Sequence, residues 1–191
     1  MIRNKEQSKD EDIVEAVQQG QTEFFGLLVT KYEKAILRYA YKFLSQRQDI
    51  EDLVQDVFVK AYTNIQSFDL ERKFSSWLYR IAHNTFINAL KKRDKQPLLF
   101  FDADTLFPHP IAKEKSDTLI DEKQVKAMLD ECLQKISIKY REPLVLYYLE
   151  ELSYQEISDI MQIPVSTVGV RIRRGKEKVR LLCKGKGYEY K

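Results

Sequence analysis

Residues 152–174 read LSYQEISDIMQIPVSTVGVRIRR, and this stretch decides the fold. Ser153 and Glu156 form an S-x-x-E capping box, which starts a helix. Ile157, Ile160 and Met161 give that helix an apolar face. Pro164 stops it, and Ser166 is placed to cap the next one. The second helix would bury Val165, Val168, Ile172, Gly175, Val179 and Leu182, spaced three and four apart. A short helix, a tight turn and a longer helix is helix-turn-helix geometry.

Outside its buried stripe the second helix is basic. Arg171, Arg173, Arg174, Lys176, Lys178 and Arg180 lie along it, with Lys184 and Lys186 beyond, and Glu177 is the only acid between Gly169 and Lys186. Such a helix fits the DNA major groove, its first turns near base edges and its later cations on phosphates. A solvated basic face is the plainer reading of a charge run alone. Cap, turn, stripe and charge together favour DNA. Gly169 to Gly175-Lys176 imitates a phosphate-binding loop, but the glycines are too far apart and no Ser or Thr follows the lysine.

Working outward, the chain of 191 residues divides into three tracts. Residues 1–93 carry 15 basic and 13 acidic residues, and residues 122–191 carry 14 and 10. Between them, residues 94–121 carry 3 basic and 6 acidic residues and three of the five prolines, Pro97, Pro108 and Pro110. That composition is a linker's. Apolar residues recur at helical spacing on both sides: Phe25, Leu28, Tyr32, Ile36, Tyr39 and Phe43; then Ile50, Leu53, Val54, Val57, Phe58, Ala61 and Ile65; then Phe74, Trp77, Leu78, Ile81 and Ala82 on to Leu90. Leu144 to Leu149 is short enough to be a buried strand, but Pro143 before it suits a first helical position. The expected fold is all-α: two small helical domains joined by a flexible linker, the second containing a helix-turn-helix.

Composition excludes several functions. With 6 glycines and none between Gly26 and Gly169, no GxGxxG dinucleotide turn is possible. Cys132, Cys183, His83 and His109 are not spaced as metal ligands, so neither metal nor cofactor is expected. No apolar run reaches the ~18–20 residues that span a bilayer, and Met1 to Glu15 is not a signal peptide, so the expected location is cytoplasmic.

Two clusters lie in the first tract. Asp49, Glu51, Asp52 and Asp56 precede Lys60 with no cation among them. Acids near a helix N-terminus account for Asp49 to Asp52. Asp56 lies beyond that effect, and for the cluster the helix-end account and a partner surface remain equally good readings. The segment Ser67 to Arg93 interleaves Phe68, Phe74, Trp77 and Tyr79 with Arg72, Lys73, Arg80, His83, Asn84, Asn88, Lys91, Lys92 and Arg93. Rings that stack bases, cations that meet phosphates and amides that read base edges suit single-stranded DNA. Against this, Trp77 and Phe74 at helical spacing are more often core residues, and Trp77 is expected to be partly both.

Asp49 to Phe58, Phe74 to Asn84 and Leu152 to Arg174, in that order and spacing, resemble the extracytoplasmic-function (ECF) sigma factors of bacterial RNA polymerase. The resemblance implies a transcription initiation factor without catalytic activity. It implies that Asp49, Asp52, Leu53, Gln55, Asp56 and Phe58 contact core polymerase. Ser67, Phe68, Arg72, Lys73, Trp77, Arg80, Asn84, Asn88 and Arg93 would open the promoter −10 element and capture an unstacked base. Ser166, Thr167, Val170, Arg171, Arg173, Arg174 and Lys176 would read the −35 element as duplex. Gly169 falls where the family often has a groove-reaching side chain. The resemblance also implies an anti-sigma protein, often membrane-anchored, as a partner, and requires no homo-oligomer. A homodimeric operator-binding regulator would use the same arginines, but the chain offers no dimer seam and leaves the aromatic–basic segment without a purpose. Tyr79, His83 and Asp52 assemble only a notional enzyme site.

Overall fold

The computed structural model describes residues 9–44, 50–93 and 122–184, and among these every regular element is helical. The first half holds α1 (Asp10–Gln18), α2 (Phe25–Phe43), α3 (Ile50–Asn64) and α4 (Phe74–Arg93). The second holds α5 (Glu122–Lys135), α6 (Ile138–Tyr148), α7 (Tyr154–Met161) and α8 (Val165–Lys184). The expected linker lies outside the described residues. No helix among those described is long and apolar enough to cross a membrane.

Asp10, Glu11 and Asp12 fill the first turn of α1, where carboxylates oppose the positive end of the helix dipole. Gly20 comes after the helix at φ +96°, a backbone conformation that costs a side-chain-bearing residue energy. Ile13, Val14 and Val17 pack under α2 and α4. The three longer helices bury the expected stripes: Leu28, Ile36, Tyr39 and Phe43 from α2, Val54, Val57 and Ala61 from α3, and Phe74, Leu78, Ala82 and Phe86 from α4.

Two side chains from α1 hold the connection between α3 and α4. The Gln18 amide donates to the carbonyls of Ile65 (2.7 Å) and Phe68 (3.0 Å), fixing the turn that leads into α4. Glu11 accepts the Phe74 N–H at 2.9 Å, capping α4 from another helix.

In the second half the apolar run is helical from Leu144 to Tyr148, with Leu149 as the cap, but Pro143 is not at the helix start. α6 begins five residues earlier behind Ser137 and contains Pro143. A proline inside a helix forfeits one backbone hydrogen bond, which burial of Leu144, Val145 and Leu146 offsets. Arg141 is 8% exposed and donates to the carbonyls of Phe43, Gln134 and Ile136, closing the ends of α2 and α5. Gly175 lets α8 lie against α6: a Cβ there would come within 2.9 Å of Leu144 Cδ1 and 3.1 Å of the Tyr140 carbonyl.

The two halves pack directly on one another, α4 against α7 and α2 against α5 and α6, so that their cores form one continuous cluster. Polar groups stitch this seam. Tyr39 donates its hydroxyl to Glu142 at 2.6 Å, and His83 Nδ1 lies 2.5 Å from the same oxygen. Arg38 makes a two-pronged contact with Glu150 at 2.9 and 2.6 Å, and Tyr79 donates to Glu150 at 2.5 Å. Lys42 pairs with Asp130. Burial, reinforced by the neighbouring carboxylates, pushes the Tyr39 and Tyr79 hydroxyls well above the ordinary tyrosine value, so both stay protonated donors.

Candidate nucleic-acid interface

The helix-turn-helix is built from its caps. Ser153 and Glu156 exchange hydrogen bonds, Ser153 N–H donating to Glu156 at 2.8 Å and Glu156 N–H to the Ser153 hydroxyl at 3.3 Å. Gln162 ends α7 in the left-handed region at φ 54°, and the Ser158 hydroxyl donates to the Ile163 carbonyl at 2.6 Å, closing the turn. α8 starts at Val165, two residues earlier than a Ser166 cap would set it. The Pro164 carbonyl takes the Thr167 and Val168 N–H groups at 2.9 and 3.1 Å, leaving Ser166 exposed inside the first turn. Val165 is correspondingly 39% exposed rather than buried, and the packed face of α8 begins at Val168.

Opposite that packed face, Ser166, Val170, Arg173 and Arg174 stand exposed, with Thr167 and Arg171 half-buried at its edges. Lys176 is turned aside: with Arg38, Lys42 and Arg180 it lines a cavity of about 930 Å³ between α2, α5, α6 and α8. Gly169 does not lie on that exposed face. A Cβ there would meet the Tyr154 ring at 3.4 Å, so the position belongs to the α7–α8 contact.

On α4, Trp77, Arg80, Asn84 and Asn88 fall on one face, the last three exposed and Trp77 half-buried. Phe68 differs from expectation. It is 5% exposed, edge-on to Trp77 and Phe74 at 5.2 and 5.8 Å, so it supports the tryptophan rather than presenting a ring to solvent. Ser67 is exposed, and its hydroxyl donates to the Asn64 carbonyl at 2.8 Å. Arg72 pairs with Asp69 at 3.4 Å, both exposed. Lys73 donates to Glu156 of α7 at 2.9 Å. Arg93 ends α4, but its side chain lies outside what is described.

The acidic face is on α3. Asp52, Gln55 and Asp56 are exposed along one side, and Leu53 is half-buried. Phe58 is 8% exposed and belongs to the core, because its position on the helix points inward with Val54 and Val57. Asp49 lies outside the described residues. Val59, 59% exposed, continues the Asp52–Asp56 face and was missed; an apolar residue three and seven positions after those acids was the available signal.

Comparison with known proteins gives this geometry its context. Residues 28–96 match Sigma-70 region 2, and residues 126–179 match Sigma-70, region 4. The ECF RNA polymerase sigma factor SigW of Bacillus subtilis (strain 168) is 36% identical over 179 residues, covering 87% of this chain and 92% of SigW. The chain belongs to the ECF sigma factors. The fold of this sigma factor is similar to that of CnrH in its complex with the cytosolic domain of CnrY, at TM-score 0.68 and 25% identity, covering 92% of this chain and 97% of CnrH. It is also similar to the sigma factor RpoE in complex with the anti-sigma factor NepR from Bartonella quintana, at TM-score 0.66 and 24% identity, covering 84% and 96%. Region 2 thus corresponds to the half bearing the α3 and α4 faces, and region 4 to the half bearing the helix-turn-helix.

Proposed function

We propose that this sigma factor binds core RNA polymerase through the α3 face of Asp52, Gln55 and Asp56, extended by Leu53 and Val59. The polymerase then carries the α4 row and α8 to promoter DNA. As an initiation factor it directs transcription to chosen promoters and has no catalytic chemistry of its own. Trp77, Arg80, Asn84 and Asn88 would hold the opened −10 strand, where stacking and hydrogen bonds offset the few kcal/mol of unstacking a base. Arg173 and Arg174, with Ser166, Val170 and Arg171, would enter the −35 major groove. Residues 1–93 and 122–191 would act as separate modules once residues 94–121 let them part.

One observation carries this reading best: the acidic face, the aromatic–amide row and the basic helix face are three separate exposed surfaces, each with a chemistry suited to a different target. The seam between the halves supports an off state as well. An anti-sigma protein, membrane-anchored in many systems, would hold the two modules together; the similar CnrH and RpoE structures are both complexes with a second protein. The factor would work in the cytoplasm, where the polymerase is.

Asp56→Arg tests the assignment of α3. Asp56 is exposed, so the fold should survive, while competition with wild type for purified core enzyme should fall at least tenfold. Equal competition by mutant and wild type would assign the polymerase contact elsewhere.

A further inference from the structure

Cys132 and Cys183 are the chain's two cysteines, and neither belongs to the polymerase or DNA surfaces. They come from different helices, α5 and the last turn of α8, yet their sulfurs lie 3.1 Å apart and both residues are fully buried. That separation is only roughly 1 Å beyond a disulfide bond. No group of three or more potential ligands that could hold a metal is found among the described residues, so the pair is not part of such a cluster. As small apolar fillers, two cysteines at a helix seam would each be satisfied by aliphatic neighbours. Here they meet each other instead.

We propose that Cys132 and Cys183 are an oxidisable dithiol whose intramolecular disulfide staples α5 to the carboxy-terminal end of the DNA-reading helix. The oxidant class is a hydroperoxide. The Cys183 thiolate attacks the outer peroxide oxygen, the O–O bond breaks, and an alcohol (or water) leaves with a proton. The resulting sulfenic acid is then attacked by the Cys132 thiolate: the S–S bond forms, the S–O bond breaks, and water leaves. Two thiols lose two electrons and two protons, and the peroxide gains both. Cys183 reacts first because it lies one residue from the end of α8, where helices fray; with both sulfurs covered, the reaction waits on that opening.

The staple closes a loop around the entire helix-turn-helix, which restricts the unfolded chain and favours the folded one. α5 also provides Leu129, Asp130 and Leu133 to the cavity shared with α2. Oxidation therefore fixes one wall of the seam between the two halves as well as the base of α8.

The test uses the full-length reduced protein, treated with hydrogen peroxide, then unfolded and alkylated with N-ethylmaleimide. Alkylatable thiols should fall from two to none. The intact mass should lose two hydrogens, and peptide mapping should join the Cys132 and Cys183 peptides in a monomer. Dithiothreitol should restore both thiols, and the oxidised protein should melt at a higher temperature than the reduced one. Cys132→Ala and Cys183→Ala should each abolish the mass change and the melting shift. Should either variant fail to fold, the peptide map of wild type still decides. Retention of both thiols, oxidation to sulfinic acid without a cross-link, or linkage between two chains would each overturn the proposal. None of these results bears on polymerase binding, which Asp56→Arg tests separately.

Discussion

Lys73, at the entrance to α4, donates to Glu156 on α7 at 2.9 Å, so one carboxylate serves two halves of the molecule. The same Glu156 closes the capping box with Ser153. A cation expected to meet the opened promoter strand is thereby held by the helix-turn-helix. DNA and Glu156 would compete for Lys73, and the packed arrangement is the one in which Glu156 has it.

This contact sets a pH dependence. Burial works to raise the Glu156 carboxyl, but hydrogen bonds from Ser153 and Lys73, with the lysine charge, outweigh it and hold the group at about 2, below its ordinary 4.5. A lowered folded-state value means the contribution to stability is fully present above about pH 4.5 and is lost as the pH falls toward 2. Amide exchange of α7 should accelerate over that window relative to an unstructured control. In Glu156→Gln the acceleration over that window should shrink, because that position no longer holds a carboxylate to protonate. An unchanged acid profile in the variant would show that Glu156 does not set it.

Glycine substitutions should separate two helix contacts. Gly175→Ala drives a methyl to 2.9 Å from Leu144 and 3.1 Å from a backbone carbonyl, and overpacking of this kind costs about 1–3 kcal/mol. Gly169→Ala meets only the Tyr154 ring at ordinary contact distance and removes a helix-interior glycine, which favours the fold by up to about 1 kcal/mol. Denaturant melts should shift in opposite directions. A stabilising shift for Gly175→Ala would mean that α8 does not approach α6 as closely as described, and a destabilising one for Gly169→Ala that Tyr154 crowds that position.

At the seam, Tyr39→Phe deletes the donor to the buried Glu142 and should cost about 1 kcal/mol. Glu142→Ala removes the shared acceptor of Tyr39 and His83 and should loosen the two halves. Small-angle scattering should report a larger radius of gyration for Glu142→Ala, with helix content retained. An unchanged radius would show that the apolar contacts alone hold the halves together.

On the DNA side, Arg174→Ala should lower transcription from −35-dependent promoters, with discrimination worth about 1–3 kcal/mol lost if the arginine reads a guanine. Asn84→Ala should instead reduce strand opening, read as permanganate reactivity of the −10 element. Core binding should be untouched in both. A variant that loses core binding would reassign its residue.

Much of this architecture was legible in the residues because its signals are local. The capping box, Pro164 and the spacing Val168–Ile172–Gly175 locate the helix-turn-helix to within two residues. α1 was not, since Ile13, Val14 and Val17 sit in a short helix crowded with charge, where apolar period is weak. The family resemblance points to Phe58, and the aromatic–basic segment to Phe68, as contact residues, but Phe58 turns inward with the apolar stripe of its helix and Trp77 and Phe74 cover Phe68. The seam was beyond reach: Tyr39 and Glu142 are 103 positions apart, and nothing near either announces the other. Gln18, which fixes the turn before α4, is equally unmarked, because an amide donating to distant carbonyls leaves no pattern.

Run-off transcription with purified core polymerase on a pool of promoter fragments tests the central claim most directly. Wild-type protein should make the enzyme start at one class of promoter that core alone ignores, and Asp56→Arg should not. Transcripts whose start sites are the same with and without the protein would contradict its assignment as the factor that chooses them.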